Sequence, residues 1–191
     1  MPAIADSRIL IMATHGFEES ELLKPLEQLR AKGAKVEIAA PERGQIKGWR
    51  HKNWGKSVAV DLTLEEVKVG DYDALVLPGG QMNPDTLRIN EAALAIIKAF
   101  LESGKIVAAI CHGPWLLIEA GVVEGREVTS YISIRTDIVN AGGRWVDKQV
   151  AVDNGIITSR HPGDLDAFIA RIAEKVEEAP HRSERPARGT R

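Results

Sequence analysis

Short apolar runs that alternate with helical patterns are the feature of this sequence that most constrains its fold. Residues 9–13 and 106–110 are uninterrupted runs of apolar side chains, and residues 36–40 and 72–77 are nearly so. An apolar run without polar alternation predicts a strand that is buried on both faces of a sheet. The sequence therefore predicts at least four buried strands.

Helical patterns separate these strands. Leucines at positions 22, 23, 26 and 29 recur at three- and four-residue spacings, and further helices are predicted near residues 90–104, 116–121, 134–141 and 165–176. Alternating strands and helices predict an α/β fold with a doubly wound, mainly parallel sheet that is covered on both faces. Residues 44–64 are interpreted as a small hairpin or an excursion of the chain, with a strand at 58–60, and short strands are predicted near 150–152 and 156–158.

Size, charge and cysteine content restrict the class of protein. The chain has 191 residues, a formal net charge of −2 and one cysteine. These values predict one domain over residues 1–178, no specific nucleic-acid partner, no membrane binding and no disulfide within the chain. Since the N-terminus lacks the pattern of a secretory signal, a cytoplasmic location is expected. Residues 179–191 are basic, without large apolar side chains, and are predicted to be a disordered tail.

Three loops that are distant in sequence are predicted to meet at one edge of the sheet. They contain His15-Gly16-Phe17-Glu18, Pro78-Gly79-Gly80 and Cys111-His112-Gly113-Pro114, and each directly follows a predicted buried strand. In doubly wound sheets, ligands bind beyond the carboxyl ends of the strands. The sequence therefore predicts a functional site that contains Cys111.

The segment around Cys111 predicts a sharp strand–turn–helix elbow. A buried strand leads into Cys111, and Pro114 suits the first turn of the helix that follows. Helix N-termini favour anions, so this position is expected to lower the pKa of the thiol and to favour a nucleophilic thiolate. The alternative is an inert core cysteine, since free cysteine is among the most buried residue types.

Spacing alone allows more than one role for each polar residue near this edge. Glu18 could be protonated and donate a hydrogen bond to the sulfur, whereas Glu19 and Glu21 resemble ordinary glutamates of a first helical turn. His112 could be a base for Cys111, although neighbouring side chains tend to point apart. Asp85 could orient a histidine or cap a helix, and His15 is a candidate for the rim of the site. No spacing of histidine, cysteine and acidic residues predicts a metal, and no cofactor is expected.

Several motifs in register resemble the PfpI-type branch of the DJ-1/PfpI superfamily. The motifs are Gly16-Phe17-Glu18-Glu19-Ser20-Glu21-Leu22, Asp73-Ala74-Leu75-Val76-Leu77-Pro78-Gly79-Gly80, Ala109-Ile110-Cys111-His112-Gly113-Pro114, Thr129-Ser130-Tyr131, Asn140-Ala141-Gly142-Gly143 and Thr158-Ser159-Arg160. The resemblance covers nearly the whole chain and implies a flavodoxin-like, three-layer α/β/α sandwich that assembles as a dimer or a higher oligomer such as a hexamer.

The resemblance also implies roles for individual residues. Cys111 would be the nucleophile and Glu18 the acid hydrogen-bonded to it. In the protease-like branch, His112 and, after a one-residue insertion, Asp85 of a neighbouring subunit would complete a triad. The oxyanion hole would be formed by the glycine turn, through Gly79 and Gly80, and by the backbone N–H of His112. Trp115 is a departure from the family pattern that is expected to narrow the pocket.

Three functions are compatible with these residues. The first is a stress-protective enzyme of glyoxalase III or deglycase type, in which the Cys111 thiolate adds to a reactive dicarbonyl or an early glycation adduct. The second is an intracellular cysteine peptidase that uses Cys111, His112 and a neighbour's Asp85. The third is a redox sensor or chaperone in which Cys111 is oxidised. The first is preferred, because its chemistry needs only a small pocket, a nucleophilic sulfur and a proton shuttle.

Overall fold

The computed structural model describes residues 4–179, which contain eleven strands and six α-helices. The strands are β1 Arg8–Met12, β2 Lys35–Ala40, β3 Gln45–Arg50, β4 Asn53–Ala59, β5 Leu62–Thr63, β6 Ala74–Leu77, β7 Ile106–Ile110, β8 Glu127–Val128, β9 Arg144–Trp145, β10 Val150–Asp153 and β11 Ile156–Ser159. The helices are α1 Glu19–Ala31, α2 Met82–Leu87, α3 Glu91–Glu102, α4 Pro114–Glu119, α5 Arg135–Asn140 and α6 Leu165–Glu178.

Seven strands form the central sheet, in the order β10-β11-β7-β6-β1-β2-β5. All neighbours in it are parallel except β10 and β11, which form an antiparallel hairpin at one edge. The chain winds from β1 to β2 in one direction and from β6 to β7 in the other. This confirms the doubly wound, mainly parallel sheet, and it places the carboxyl ends of β1, β6 and β7 side by side.

Helices cover both faces of the sheet, as the alternation along β1 shows. Ile9 and Ile11 belong to the hydrophobic core that contains residues of α1 and α6, such as Phe168. Leu10 and Met12 belong to the core that contains residues of α3 and α4. Because successive side chains of a strand point to opposite faces, an uninterrupted apolar run fills both cores. The three-layer α/β/α sandwich is therefore confirmed.

The hairpin within residues 44–64 is also confirmed, as β3 paired antiparallel with β4. It is attached to the loop after β1: the Trp49 N–H donates to the Phe17 carbonyl at 2.7 Å, and the Gly16 N–H donates to the Lys47 carbonyl at 2.8 Å. The hairpin consequently stands beside the carboxyl end of β1, where it forms a wall of the site described below.

Within residues 4–179, no helix combines the length and apolar character needed to cross a bilayer. The predicted basic tail, apart from Ala179, lies outside the described residues.

Candidate active site

Cys111 occupies a strained turn between β7 and α4. Its φ is +63°, in the left-handed region that residues with a side chain rarely adopt. The backbone holds it there: the Cys111 N–H donates to the Ser159 carbonyl at 3.0 Å, and its carbonyl accepts from the Tyr131 N–H at 2.9 Å. The Gly113 N–H closes the turn on the Ile110 carbonyl at 2.8 Å. The predicted cysteine elbow is therefore present, with Cys111 only 7% exposed at the edge of a cavity.

The turn brings the His112 ring back against the sulfur. The distance between Cys111 Sγ and His112 Nδ1 is 3.2 Å. Adjacent side chains diverge in an extended strand, but the left-handed conformation at Cys111 reverses the chain and lets the two meet. The second ring nitrogen, Nε2, lies 3.1 Å from the Ser133 hydroxyl oxygen. His112 is thus held at both nitrogens, in reach of the thiol proton.

The acidic partner of Cys111 is Glu21, and the expectation that Glu18 would contact the sulfur is wrong. Glu21 is fully buried, and its Oε2 accepts the Gly79 N–H at 2.8 Å. Gly79 lies between the two groups: a Cβ added there would stand 2.5 Å from Glu21 Oε2 and 2.7 Å from Cys111 Cβ. Glu18 instead lines the cavity, and its carboxylate accepts from the Ser20 hydroxyl at 3.3 Å.

The helical period of α1 explains why Glu21 points inward. Glu18 precedes the first residue of the helix, whereas Glu21 lies on the helix in the row that continues with Pro25 and Leu29. Residues four apart share a face, and this row is buried against the sheet. The four-residue spacing of Glu21, Pro25 and Leu29 was therefore the sequence signal that identifies Glu21.

Burial dominates the electrostatics of these groups. It raises the pKa of Glu21 to about 8, and the negative charge of Glu18 contributes in the same direction. It also raises the pKa of the Cys111 thiol well above its ordinary value, with the charge of Glu21 adding to the effect, although the N–H groups of Gly80 and His112 oppose it. Burial lowers the pKa of His112. At pH 7 the site therefore holds a thiol, a protonated carboxyl group and a neutral imidazole.

This result corrects the expectation of a lowered thiol pKa. Cys111 lies three residues before Pro114, the first residue of a six-residue helix, so the helix dipole acts weakly on it. Removal of the sulfur from water is the larger effect. Activation of Cys111 consequently requires a base, and His112 is placed to be that base.

Cys111 opens into a cavity of about 530 Å³ between the elbow, the glycine turn and the β3–β4 hairpin. Its lining combines the reactive group with aromatic and apolar side chains and contains neither lysine nor arginine. The residues are Gly16, Glu18, Glu21, Trp49, His51, Gly80, Gln81, Met82, Cys111, His112, Tyr131 and Pro162. A cavity of this size suits a small, neutral molecule or one end of a larger one.

A second cavity of about 580 Å³ adjoins the first. Both are lined by Glu18, His51 and Pro162, and the second also contains Arg50 and Lys56. The two cavities therefore meet beside the hairpin at these shared residues. Sequence reasoning missed Trp49 and His51, which both line the first cavity, because a short hairpin gives no indication of which strand end it will cover.

The other predicted site residues have different outcomes. Gly80 lines the cavity, and Gly79 fixes Glu21 through its N–H. His15 does not lie on the rim, because it lines a separate cavity of about 340 Å³, where its Nδ1 accepts from the Lys47 N–H. Asp85 is exposed on α2 and does not line the Cys111 cavity in this chain, so its role in a neighbouring subunit stays a prediction.

Trp115 does not narrow the cavity as expected, because it packs behind His112. Its ring meets the imidazole edge-on at 5.1 Å between centroids, and its Nε1 donates to Asp137 Oδ2 at 2.8 Å. Tyr131 stacks on the imidazole at 5.0 Å. Among residues 4–179, no group of three or more histidine, cysteine, aspartate or glutamate side chains is arranged to hold a metal ion.

Comparison with known proteins agrees with this architecture. The sequence profile of the DJ-1/PfpI family matches residues 7–175. Deglycase PfpI of Pyrococcus furiosus is 49% identical over 167 residues, which is 87% of this chain and 98% of that protein. General stress protein 18 of Bacillus subtilis is 40% identical over 163 residues, 84% of this chain and 92% of that protein. The crystal structure of Drosophila melanogaster DJ-1beta superposes with a TM-score of 0.79 at 31% identity, covering 90% of this chain and 94% of that one. The chain therefore belongs to the DJ-1/PfpI family.

Proposed function

We propose that this protein is a cysteine-dependent, stress-protective enzyme that acts on reactive dicarbonyls such as methylglyoxal, or on the early glycation adducts that they form. The observation that carries the proposal is the 3.2 Å contact between Cys111 Sγ and His112 Nδ1 inside a cavity of about 530 Å³. A buried thiol with an adjacent neutral base is suited to attack a carbonyl carbon. The likeness to the Pyrococcus deglycase supports the same reaction class.

The first step forms a hemithioacetal. His112 Nδ1 accepts the thiol proton while Sγ bonds to the aldehyde carbon, and the carbonyl electrons move to oxygen. The N–H groups of Gly80 and His112, which point at the sulfur in the resting protein, lie next to that developing charge. A proton from the imidazolium then neutralises the oxygen.

The second step moves a proton and releases the product. His112, neutral again after the first step, takes the proton from the carbon bonded to sulfur, and the neighbouring carbonyl carbon receives a proton through the enediol. The product is a thioester of lactate, which water hydrolyses to lactate and the free thiol. The overall reaction adds one water to methylglyoxal and needs no oxidant or cofactor.

Glu21 contributes through its proton. Its Oε1 has no hydrogen-bond partner among the described residues, although it is buried. A proton on the Glu21 carboxyl group donates toward the sulfur when Cys111 ionises, which offsets the penalty of a buried thiolate. Glu21 thus stabilises the ionised sulfur only while it is itself protonated, below about pH 8.

The test compares wild type, Cys111→Ser and Glu21→Gln on methylglyoxal, with lactate as the measured product. N-acetylarginine is then added at a fixed concentration of free methylglyoxal, so that a rate increase identifies the adduct as the substrate. We expect lactate formation that Cys111→Ser abolishes. Equal rates for wild type and Cys111→Ser would refute the proposal.

A cysteine peptidase is the second candidate, because a cavity of about 580 Å³ adjoins the first and offers space for further residues of a peptide. Cleavage of casein in the same set of variants tests it. Cleavage that depends on Cys111, without lactate formation, would replace the first proposal. If reduced protein turns over neither substrate, oxidation of Cys111 as a redox signal becomes the leading hypothesis.

Two further proposals rest on the family resemblance. We propose that the chain self-associates to a dimer or hexamer, which sedimentation of the full chain tests. We also propose a cytoplasmic location, which fractionation of the source cells tests.

A further inference from the structure

Four residues of its own chain contact the His112 ring. Its Nδ1 faces Cys111 Sγ at 3.2 Å, and its Nε2 faces Ser133 Oγ at 3.1 Å. Tyr131 stacks on the ring with an interplanar angle of 25°, and Trp115 meets it at 66°. The two nitrogens consequently have one partner each, and the ring cannot turn without losing both.

We infer that Ser133 is the positioning residue of His112: its hydroxyl oxygen accepts the Nε2 proton and completes the Cys111–His112 unit within a single subunit. The inference rests on the proposed function, since it assigns the orienting group of the proposed base. It differs from the family-derived expectation, in which Asp85 of a neighbouring subunit has this role.

The protonation of His112 Nδ1 determines whether Nε2 donates or accepts in its hydrogen bond with Ser133. To take the thiol proton, Nδ1 must present its lone pair to Sγ, so the proton of the neutral ring must be on Nε2. Nε2 is then a donor, and the Ser133 oxygen is its acceptor. After His112 has taken the thiol proton, Nε2 still carries its own proton, and the same hydrogen bond is retained throughout the reaction.

The backbone fixes Ser133 relative to Cys111. Ser133 lies in the short 3₁₀-helix Ile132–Ile134, and the Tyr131 N–H just before it donates to the Cys111 carbonyl at 2.9 Å. At its other end, Ile134 is buried. The same backbone bond that holds the elbow therefore places the segment of Ser133 beside Cys111.

Among the described residues, the group that contacts His112 Nε2 is the Ser133 hydroxyl and not a carboxylate. Asp137 on α5 is the carboxylate that acts on His112 electrostatically, but its Oδ2 accepts from Trp115 Nε1. A carboxylate on Nε2 would raise the pKa of His112, whereas a neutral hydroxyl orients the ring without that charge effect. A base that is neutral at rest can accept the thiol proton and later return it. Ser133 thus suits a proton shuttle better than an acid would.

The first experiment reads the tautomer directly and does not depend on turnover. Imidazole ¹⁵N shifts are measured for wild type and Ser133→Ala, and His112→Gln identifies the His112 signals. In wild type we expect the proton on Nε2 alone. In Ser133→Ala we expect a mixture of both tautomers, whereas unchanged shifts would overturn the inference. Ser103→Ala is the matched control, because it removes an exposed hydroxyl that donates to the Ala99 carbonyl at the end of α3.

The second experiment measures function. Ser133→Ala should lower kcat for methylglyoxal about three- to tenfold, as expected for one lost hydrogen bond, with KM changed less than twofold. Ser133→Thr, which keeps the hydroxyl, should restore most of kcat. The rate at which iodoacetamide alkylates the single cysteine should fall by a similar factor at pH 7, because alkylation also needs removal of the thiol proton.

Failure of the inference and failure of the proposed function are distinguishable. If wild type forms no lactate, the proposed function fails, while the tautomer and the alkylation rate still decide the role of Ser133. If Asp85→Asn lowers kcat tenfold or more, and activity per subunit falls on dilution while Ser133→Ala matches wild type, the orienting group comes from the neighbour. That result would overturn the inference.

Discussion

Replacement of Glu21 by glutamine should make the protein more stable at neutral pH, although it removes a buried functional group. Glutamine has nearly the same shape and keeps an oxygen that can accept the Gly79 N–H. Burial raises the pKa of Glu21 from its ordinary 4.5 to about 8. Folding therefore favours the protonated form, and each pH unit above 4.5 makes folding less favourable by about 1.4 kcal/mol until the folded group ionises. At pH 7 the cost is about 3 kcal/mol.

The raised pKa of Glu21 determines how the free energy of unfolding should change with pH. A raised carboxyl pKa means that the folded state binds more protons than the unfolded state between pH 4.5 and about 8. The contribution of Glu21 to the free energy of unfolding is fully present below pH 4.5 and is lost as the pH rises to about 8. Glu21→Gln does not titrate there, so its advantage over wild type should grow across that interval. Urea unfolding of both proteins at pH 5, 6, 7 and 8 measures the difference.

Two further variants make the experiment specific. Glu174 is exposed on α6, so Glu174→Gln should show a difference from wild type that is small and nearly independent of pH. Glu18→Gln removes a negative charge that raises the pKa of Glu21, so the loss of stability with rising pH should end at a lower pH and be smaller in total. If Glu21→Gln differs from wild type equally at pH 5 and pH 8, the carboxyl group does not hold its proton in the folded protein. The electrostatic argument would then be refuted.

Three other predictions concern the elbow. Iodoacetamide should alkylate Cys111 of the native protein more slowly at pH 8 than the same cysteine in urea, because burial raises its pKa; equal rates would contradict this. Gly79→Ala should destabilise the fold by about 2 kcal/mol in urea unfolding, since its Cβ would crowd Glu21 and Cys111; wild-type stability would show that the turn can relax. His112→Gln should lower kcat about a hundredfold with little change in thermal stability, and an unchanged kcat would exclude His112 as the base.

Much of the fold could be predicted because it depends on patterns within short segments. The apolar run over residues 9–13 fills two cores at once, and only a strand covered on both faces meets that requirement. The position of Cys111 at a strand end, next to Gly113 and Pro114, similarly predicted the elbow. The hairpin β3–β4 was recognised, but not its position over the site, which depends on hydrogen bonds to the distant loop after β1.

The assignment of the acid shows where prediction from the sequence stopped. Glu18 and Glu21 are both near the start of α1, and the choice depends on how the helix is rotated against the sheet. Leu22, Pro25 and Leu29 indicate that rotation, and the structure buries Glu21 with them. The contact between His112 and Cys111 could not be predicted for a related reason, because the reversal of the chain at Cys111 is a tertiary feature, stabilised by Ser159 and Tyr131.

The sequence by itself determined the order of the elements, the layers of the sandwich and the position of Cys111 beyond a central strand. These follow from side-chain periodicity and from turn residues, which act over a few neighbours. Only the tertiary structure decided which carboxyl group meets the sulfur, that the thiol pKa is raised, and that His112 and Ser133 come together. Those properties depend on burial and on contacts between segments far apart in the chain. Desolvation and hydrogen bonding are fixed only when the segments have packed.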